Sequence, residues 1–358
     1  MKVILSTVLI LFFFGSAIAN ETAQTESKTD ENYDPVPPIM EHISDAHSWH
    51  LWGGGHDAVA MPLPVILWTD KGVVTFMSSE FHHDTEGHHI VNKNGLNLVN
   101  YQERIYVLNE NEEHLSFDDK GKITNTRPID FSITKNVFGM LISVLIICLV
   151  FIKAAKSYKG EVKAPKGIAS FMEPLILFVQ NDIALQNIGE KHYKRFVPFL
   201  LTVFFFIWFN NLLGLIPIPG IAGANITGNI AFTLILSVIT LILTTINGNK
   251  QYWRHILWMP GVPAILKIFI ITPIEIVGIF IKPFALMIRL FANMTAGHIV
   301  VLSLVSLIFV FKSIYMSAVA VPFTLFISIL ELLVALLQAY VFTMLSALFI
   351  GSALAEHH

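Results

Sequence analysis

Apolar positions gather into long runs beyond residue 136 and form only short ones between residues 20 and 130. Val137 to Ile152 is the first long run, followed by Lys153, Lys156, Lys159, Lys163 and Lys166. Residues 167–190 mix apolar and polar groups and read as an amphipathic helix lying at the membrane interface. Two ordinary spans follow, Phe196 to Ile216 and roughly 228–246. From Ala264 to Phe311, and again from Ala318 to Ile350, apolar character hardly breaks. At 1.5 Å per residue these last two would measure on the order of 70 Å and 50 Å, against a hydrocarbon core near 30 Å. They are expected to be steeply tilted, kinked or broken, with Pro273 and Pro283 as kink sites in the first. Steep tilt has to be imposed by packing against a partner.

The front of the chain follows other periods. Lys2, the apolar stretch Val3 to Phe14 and Ala17-Ile18-Ala19 have the layout of a secretory signal peptide cut after Ala19. Its apolar core, nearer 12 residues than the roughly 20 a span needs, argues against a first membrane helix. Pro64 to Trp68 and Val73 to Met77 flank Thr69-Asp70-Lys71-Gly72, a β-hairpin pattern; Leu96 to Leu98 and Arg104 to Leu108 add candidate strands. The sequence thus predicts a signal peptide over 1–19, a small exported β-containing domain over 20–130 and a membrane domain over 131–358. The fold class is an all-α polytopic membrane protein with about five membrane helices, plus that domain.

Charge changes the picture by fixing topology. The dense lysines after Ile152 mark the cytoplasmic side, and the loop Pro217 to Thr227 carries no Lys or Arg, as an outside loop should. Both agree with an exported N-terminus and a cytoplasmic C-terminus in a bacterial inner membrane. Only 14% of residues are charged, and the net charge of −3 with no K/R-rich block argues against a nucleic-acid partner. The single Cys148 lies in an apolar run and offers neither disulfide nor Cys-based metal site. Eight histidines fall between residues 42 and 89 (His42, His47, His50, His56, His82, His83, His88, His89). Their spacing fits no fixed metal motif, so no metal is expected and the segment reads as solvated.

Candidate chemistry lies at membrane depth. Glu275, Lys282, Arg289 and His298 stand within the first long run. Arg, Lys or Asp at a helix centre costs about 2.5–3.5 kcal/mol on insertion scales, so such groups default to a functional reading. Lys282 equally fits a lysine snorkelling at a helix end; Arg289, with apolar sequence on both sides, does not. Glu275, Lys282 and Arg289 recur every seven residues, so each lies within about 20° of the last, and Asn293 shares their face. Gly278, Ala285 and Ala292 keep that face smooth enough for another helix to approach. His298 points roughly the other way. Glu331 and Gln338 repeat the seven-residue spacing in the last run. A membrane Glu and a His on neighbouring helices make a proton relay, whereas Arg does not deprotonate and suits a fixed positive barrier.

Met287 to His298 (MIRLFANMTAGH) closely resembles the signature of subunit a, the proton-channel stator of rotary ATP synthases. Glu331 to Leu345 (ELLVALLQAYVFTML) is similar to that family's last helix, and Asn210 to Pro217 (NNLLGLIP) to the end of its second span. The resemblance covers roughly residues 130–352. It implies that Arg289 faces the proton-carrying carboxylate of a rotating c-ring, and that Asn293, His298, Glu331 and Gln338 line the half-channel from the exported side. Glu275, with Lys282 near it, would belong to the cytoplasmic half-channel. Some family members exchange the residue types at His298 and Glu331, which preserves the chemistry if the two touch. The implied partners are the c-ring, the peripheral stalk b subunits, the rest of the complex and membrane lipid. No cofactor is implied; the transported ion is expected to be H⁺, and the sequence itself does not decide between H⁺ and Na⁺, whose ligands would sit mainly on the c-ring. The chain has no nucleotide-binding loop, so it is not an enzyme by itself. The alternative is a secondary transporter with a midplane substrate site, although no paired repeat halves are evident.

Overall fold

The computed structural model describes residues 34–52, 59–109, 112, 114–158, 167–215, 226–258 and 263–355. The signal peptide, His56, the lysines at 159, 163 and 166 and most of the 217–227 loop lie outside the described residues.

The front domain opens with helix α1 (Val36–Ile43) and contains three small antiparallel sheets. Strands β1 (Ser48–Trp52) and β2 (Val59–Pro62) form the first. The expected hairpin is β3 (Pro64–Thr69) and β4 (Gly72–Met77), registered from Pro64 opposite Met77 to Thr69 opposite Gly72. Gly72 supplies the positive φ of 104° that ends the two-residue turn, and the Thr69 hydroxyl donates to its carbonyl at 2.7 Å. The other candidate strands extend into β6 (Leu96–Tyr101) and β7 (Arg104–Leu108), which follow β5 (Val91–Lys93) in the third sheet. Val65, Leu67, Val74, Phe76, Leu98 and Ile105 close a core between the second and third sheets.

A late strand, β8 (Ile129–Asp130), pairs with β3 just before the first membrane helix, α2 (Lys135–Ser157). The Asp45 carboxylate accepts from the Asn136 backbone N–H at 3.1 Å and the Thr134 hydroxyl at 2.9 Å, while the Lys135 N–H donates to the Ala46 carbonyl. Residues some 90 positions upstream thus satisfy the open donors at the start of α2. His47, buried, donates from Nε2 to the Asp130 carboxylate at 2.9 Å, and its Nδ1 lies 3.5 Å from Glu103 Oε2. Burial works against its charge, but the carboxylates of Asp130 and Glu103 outweigh that and push the imidazole up to about 9.

Among the described residues six helices are long and apolar enough to cross a membrane. Five coincide with the expected spans. The sixth, α3 (Ile168–Ile188), whose middle, Phe178–Leu185, is wound as a π-helix, coincides with the expected interfacial helix. It reaches spanning length by length and composition alone, and its Glu173, Gln180, Asn181 and Asp182 suit the interface. The others are α2, α4 (Tyr193–Leu215), α5 (Ile230–Asn247), α7 (Thr272–Val310) and α8 (Ile314–Leu354); the short α6 (Lys250–Leu257) lies between α5 and α7.

The two long runs are continuous helices of 39 and 41 residues, about 59 Å and 62 Å. Pro273 is the second residue of α7, directly after helical residues, and the helix runs through Pro283 without a break. The irregularity falls earlier, in a π-turn over Lys267–Ile271. Helices twice as long as the hydrocarbon core is thick must incline by about 60° from the membrane normal to keep their apolar length in lipid.

Packing centres on α4 and α8. Leu200, Phe204 and Ile207 share a core with Ala339 and Ala347 of α8. With the buried Ala335 and Thr343 these make a face of small side chains at every fourth residue, which allows close approach. Gly351 carries this furthest: a Cβ there would overlap the Asn187 carbonyl oxygen. On α5, Thr233, Ser237, Thr240 and Thr244 form a buried polar row, each hydroxyl bonded back to a carbonyl one turn earlier. Thr240 also meets Ser346 of α8 at 3.4 Å.

Candidate functional site

The seven predicted site residues separate into three places along α7 and α8. Arg289 and Asn293 are exposed on one face of α7, with Ala285, Ala292 and Ala296 between and beside them. Leu286, Met287, Leu290 and Met294 take the opposite, buried face. Arg289 thus stands on a smooth face turned out of the protein. It has no hydrogen bond or ion pair among the described residues. Its guanidinium keeps its proton and has five donors.

Nine residues on, roughly 13 Å along the helix axis, His298 turns inward. Its Nδ1 lies 3.8 Å from Glu331 Oε1 of α8, and the two side chains are 12% and 14% exposed. That gap is too long for a direct hydrogen bond. It is short enough for a proton to cross through one water or after a small rotamer change. Gly297 makes this approach possible, because a Cβ there would overlap Glu331 Oε1. Gln338 lies two turns past Glu331, within about 20° of the same face, and is buried. Asn293 stays with Arg289 on the outer face rather than with this group.

At the other end of α7, Glu275 is half-buried beside α6. Burial first, and then the charge of Glu275, push the Tyr252 phenol of α6 upward. Lys282 rests over the Phe349 ring of α8 at 5.6 Å, a cation–π contact close to the end of that helix. Glu275 and His298 are 23 residues apart, about 35 Å along the axis, with Arg289 between them. Two ionisable clusters at opposite ends, separated by a fixed cation, cannot pass a proton directly from one to the other.

Sequence reasoning missed several polar groups that shape this region. Asn211, fully buried, donates from Nδ2 to the Ala335 carbonyl at 3.1 Å and accepts from the Thr227 hydroxyl at 2.7 Å. The Thr295 hydroxyl reaches the Gly228 carbonyl at 3.5 Å. Asn210 Oδ1 is buried without a partner among the described residues. The buried hydroxyl row of α5 was readable from its four-three-four spacing within an apolar run. The reach of Thr227 to Asn211 was not, since it depends on how the chain returns between two helices. Of the histidines ahead of α2, His47 belongs to the buried ion pair, while His82 and His89 stack edge to face with ring centroids 4.6 Å apart.

Residues 137–351 match the family described as ATP synthase A chain. The chain belongs to that family. Residues 38–131 match a separate domain of unknown function (DUF8433). Among curated relatives, ATP synthase subunit a of Chloroherpeton thalassium is 48% identical over 231 residues, covering 63% of this chain and 68% of that protein. ATP synthase subunit a 2 of Chlorobaculum tepidum is 51% identical over 235 residues, covering 63% and 64%. ATP synthase subunit a of Chlorobium phaeobacteroides (strain DSM 266) is 47% identical over 257 residues, covering 68% and 72%. The chain therefore spans about two thirds of the length of these relatives. The family model includes every predicted site residue, from Glu275 to Gln338, and a secondary-transporter reading finds no support.

Proposed function

We propose that this chain is the proton-translocating stator subunit of a rotary ATP synthase, not catalytic alone, with Arg289 separating two aqueous half-channels. The observation that carries the reading is Arg289 itself: a permanent cation on a smooth outer face, unpaired among the described residues and set between two ionisable clusters. An arginine at membrane depth costs about 2.5–3.5 kcal/mol unless a counter-charge meets it. A carboxylate carried past on a rotating c-ring is such a counter-charge.

On this reading a proton arrives from the exported side through His298 and Glu331, with Gln338 behind them, and neutralises a ring carboxylate. The neutral carboxyl can turn into lipid, where the ionised form would be heavily penalised. After nearly a full rotation it reaches the cytoplasmic half-channel near Glu275 and Lys282 and gives up the proton. Arg289 attracts the ionised carboxylate and blocks a direct path between the half-channels, and Asn293 lies beside it on the ring-facing side. Each charge crossing yields about 2.3 kcal/mol per 100 mV, all of which a leak past Arg289 would waste.

The inclined α7 and α8 present an exposed apolar surface suited to the curved wall of a ring. Peripheral stalk b subunits would hold the stator, with lipid covering the remaining apolar faces. The multi-pass chain would sit in the bacterial inner membrane with its N-terminus exported and its C-terminus cytoplasmic. The transported ion would be H⁺, since a His–Glu pair relays protons and offers a sodium ion few oxygen ligands.

Arg289→Ala tests this directly in membranes containing the assembled complex. Coupled ATP synthesis should be lost while the c-ring and stalk still co-purify. Normal synthesis in that variant would refute the assignment.

A further inference from the structure

The domain at residues 38–131 has no role in the scheme above, yet it is built into the membrane body. Trp49, 1% exposed, sits edge to face on Phe138 of α2 with ring centroids 5.4 Å apart. Trp49, Leu63 and Ile226 form one buried cluster, with Phe138 and Phe232 packed against it. Ile226 opens a 3₁₀ turn of three residues, Ile226–Gly228, that touches α2, α4, α5 and α7.

Each following residue of that turn bonds toward one of the two helices carrying the His298–Glu331 pair. The Thr227 hydroxyl donates to Asn211 Oδ1, and Asn211 Nδ2 donates to the Ala335 carbonyl, one turn past Glu331. The Gly228 carbonyl accepts from the Thr295 hydroxyl, one turn before His298. Thr227 and Asn211 are fully buried, so this bridge is shielded from competing water. Three residues in sequence thus tie the front domain, α8 and α7 together.

We infer that the front domain sets the spacing of the His298–Glu331 pair through the turn Ile226–Gly228, with Trp49 as a positioning residue for proton uptake. This rests on the stator reading. The physical basis is that a 3.8 Å separation lies just outside hydrogen-bond range, where small shifts of either helix change proton transfer steeply. Trp49 is the largest side chain of the cluster that holds Ile226, Phe138 and Phe232. Without the indole the turn gains room to move, and Thr227 and Gly228 carry that motion to both helices.

The test uses the whole ATP synthase in inverted membrane vesicles, with ATP-driven proton pumping read alongside ATP hydrolysis and c-ring co-purification. Trp49→Ala should lower pumping by on the order of tenfold, with the coupled hydrolysis falling in step and c-ring retention unchanged. Trp49→Phe, which keeps an aromatic on Phe138, should recover most of it. Trp68→Ala, an exposed position on the same domain, should pump normally. Thr227→Val removes only the bridging hydroxyl, so it should lower pumping even if Trp49→Ala fails to assemble. Where both singles assemble, the double variant should be no worse than the poorer single, because both act through one turn. Wild-type pumping in Thr227→Val, or in an assembled Trp49→Ala, would overturn the inference, as would simple addition of their effects. Arg289→Ala in the same vesicles separates the two levels. If it pumps normally the stator reading falls; if it fails while Trp49→Ala pumps normally, only the positioning role falls.

Discussion

Adding one methyl group at Gly297 probes the relation between His298 and Glu331 without touching either. A Cβ built there overlaps Glu331 Oε1 and stands 3.0 Å from its Cδ and 3.3 Å from its Cγ, all tighter than ordinary contact. The obstructing atoms are the far end of a flexible side chain, so the carboxylate can swing aside. The cost in stability should be small, because alanine in a helix gains up to about 1 kcal/mol over glycine and offsets the rotamer change. The cost in function should be large. Clearing the methyl group moves the carboxylate by more than about 1 Å, and misplacements of that size slow transfer by up to on the order of a hundredfold. Gly297→Ala should therefore yield a complex with normal melting temperature and assembly but proton pumping, and the ATP hydrolysis coupled to it, reduced by about ten- to a hundredfold. Adding Glu331→Asp, which shortens the side chain by one methylene, should restore part of the flux. Wild-type pumping in Gly297→Ala, with the methyl group verified in place, would refute the idea that this pair carries the proton.

Two further outcomes are expected. His47 is raised to about 9 from 6.5, so the stabilisation from its ion pair is complete below 6.5 and is lost as pH rises through about 9. Thermal unfolding of the purified chain should weaken over that window by at most on the order of 3 kcal/mol, and His47→Gln should flatten the profile. Gly351→Ala faces a backbone carbonyl that cannot step aside, with the Asn187 carbonyl carbon only 2.8 Å from the new Cβ. It should destabilise the α3–α8 contact by about 1–3 kcal/mol, read as a lower melting temperature in detergent.

How much of this was legible depends on whether the signal is local. The β3–β4 hairpin was, because an Asp-x-Gly turn between β-rich runs fixes its own register. That α7 and α8 exceed an ordinary span was, because apolar runs report length, but the first is shorter and the second longer than its run suggested. Arg289 stood out because a lone charge in such a run has no local reason to exist. Other features needed the tertiary arrangement. The three-residue strand β5 and two-residue β8 are too short to register as patterns, and β8 exists only because β3 offers it an edge. The role of Gly297 shows only once α8 lies against it, and Thr227 and Asn211 look like ordinary loop and helix-end residues until they meet.

Strand β8 and the capped start of α2 are only a few residues apart, and both are completed by the chain before residue 70. The leading end of α2 is therefore clamped to the front domain from two sides. A slide or rotation of that helix end would break both hydrogen bonds to Asp45 and strip the edge of β3 at once. The domain is thus a continuation of the first turn of α2 and not an appendage tethered to it.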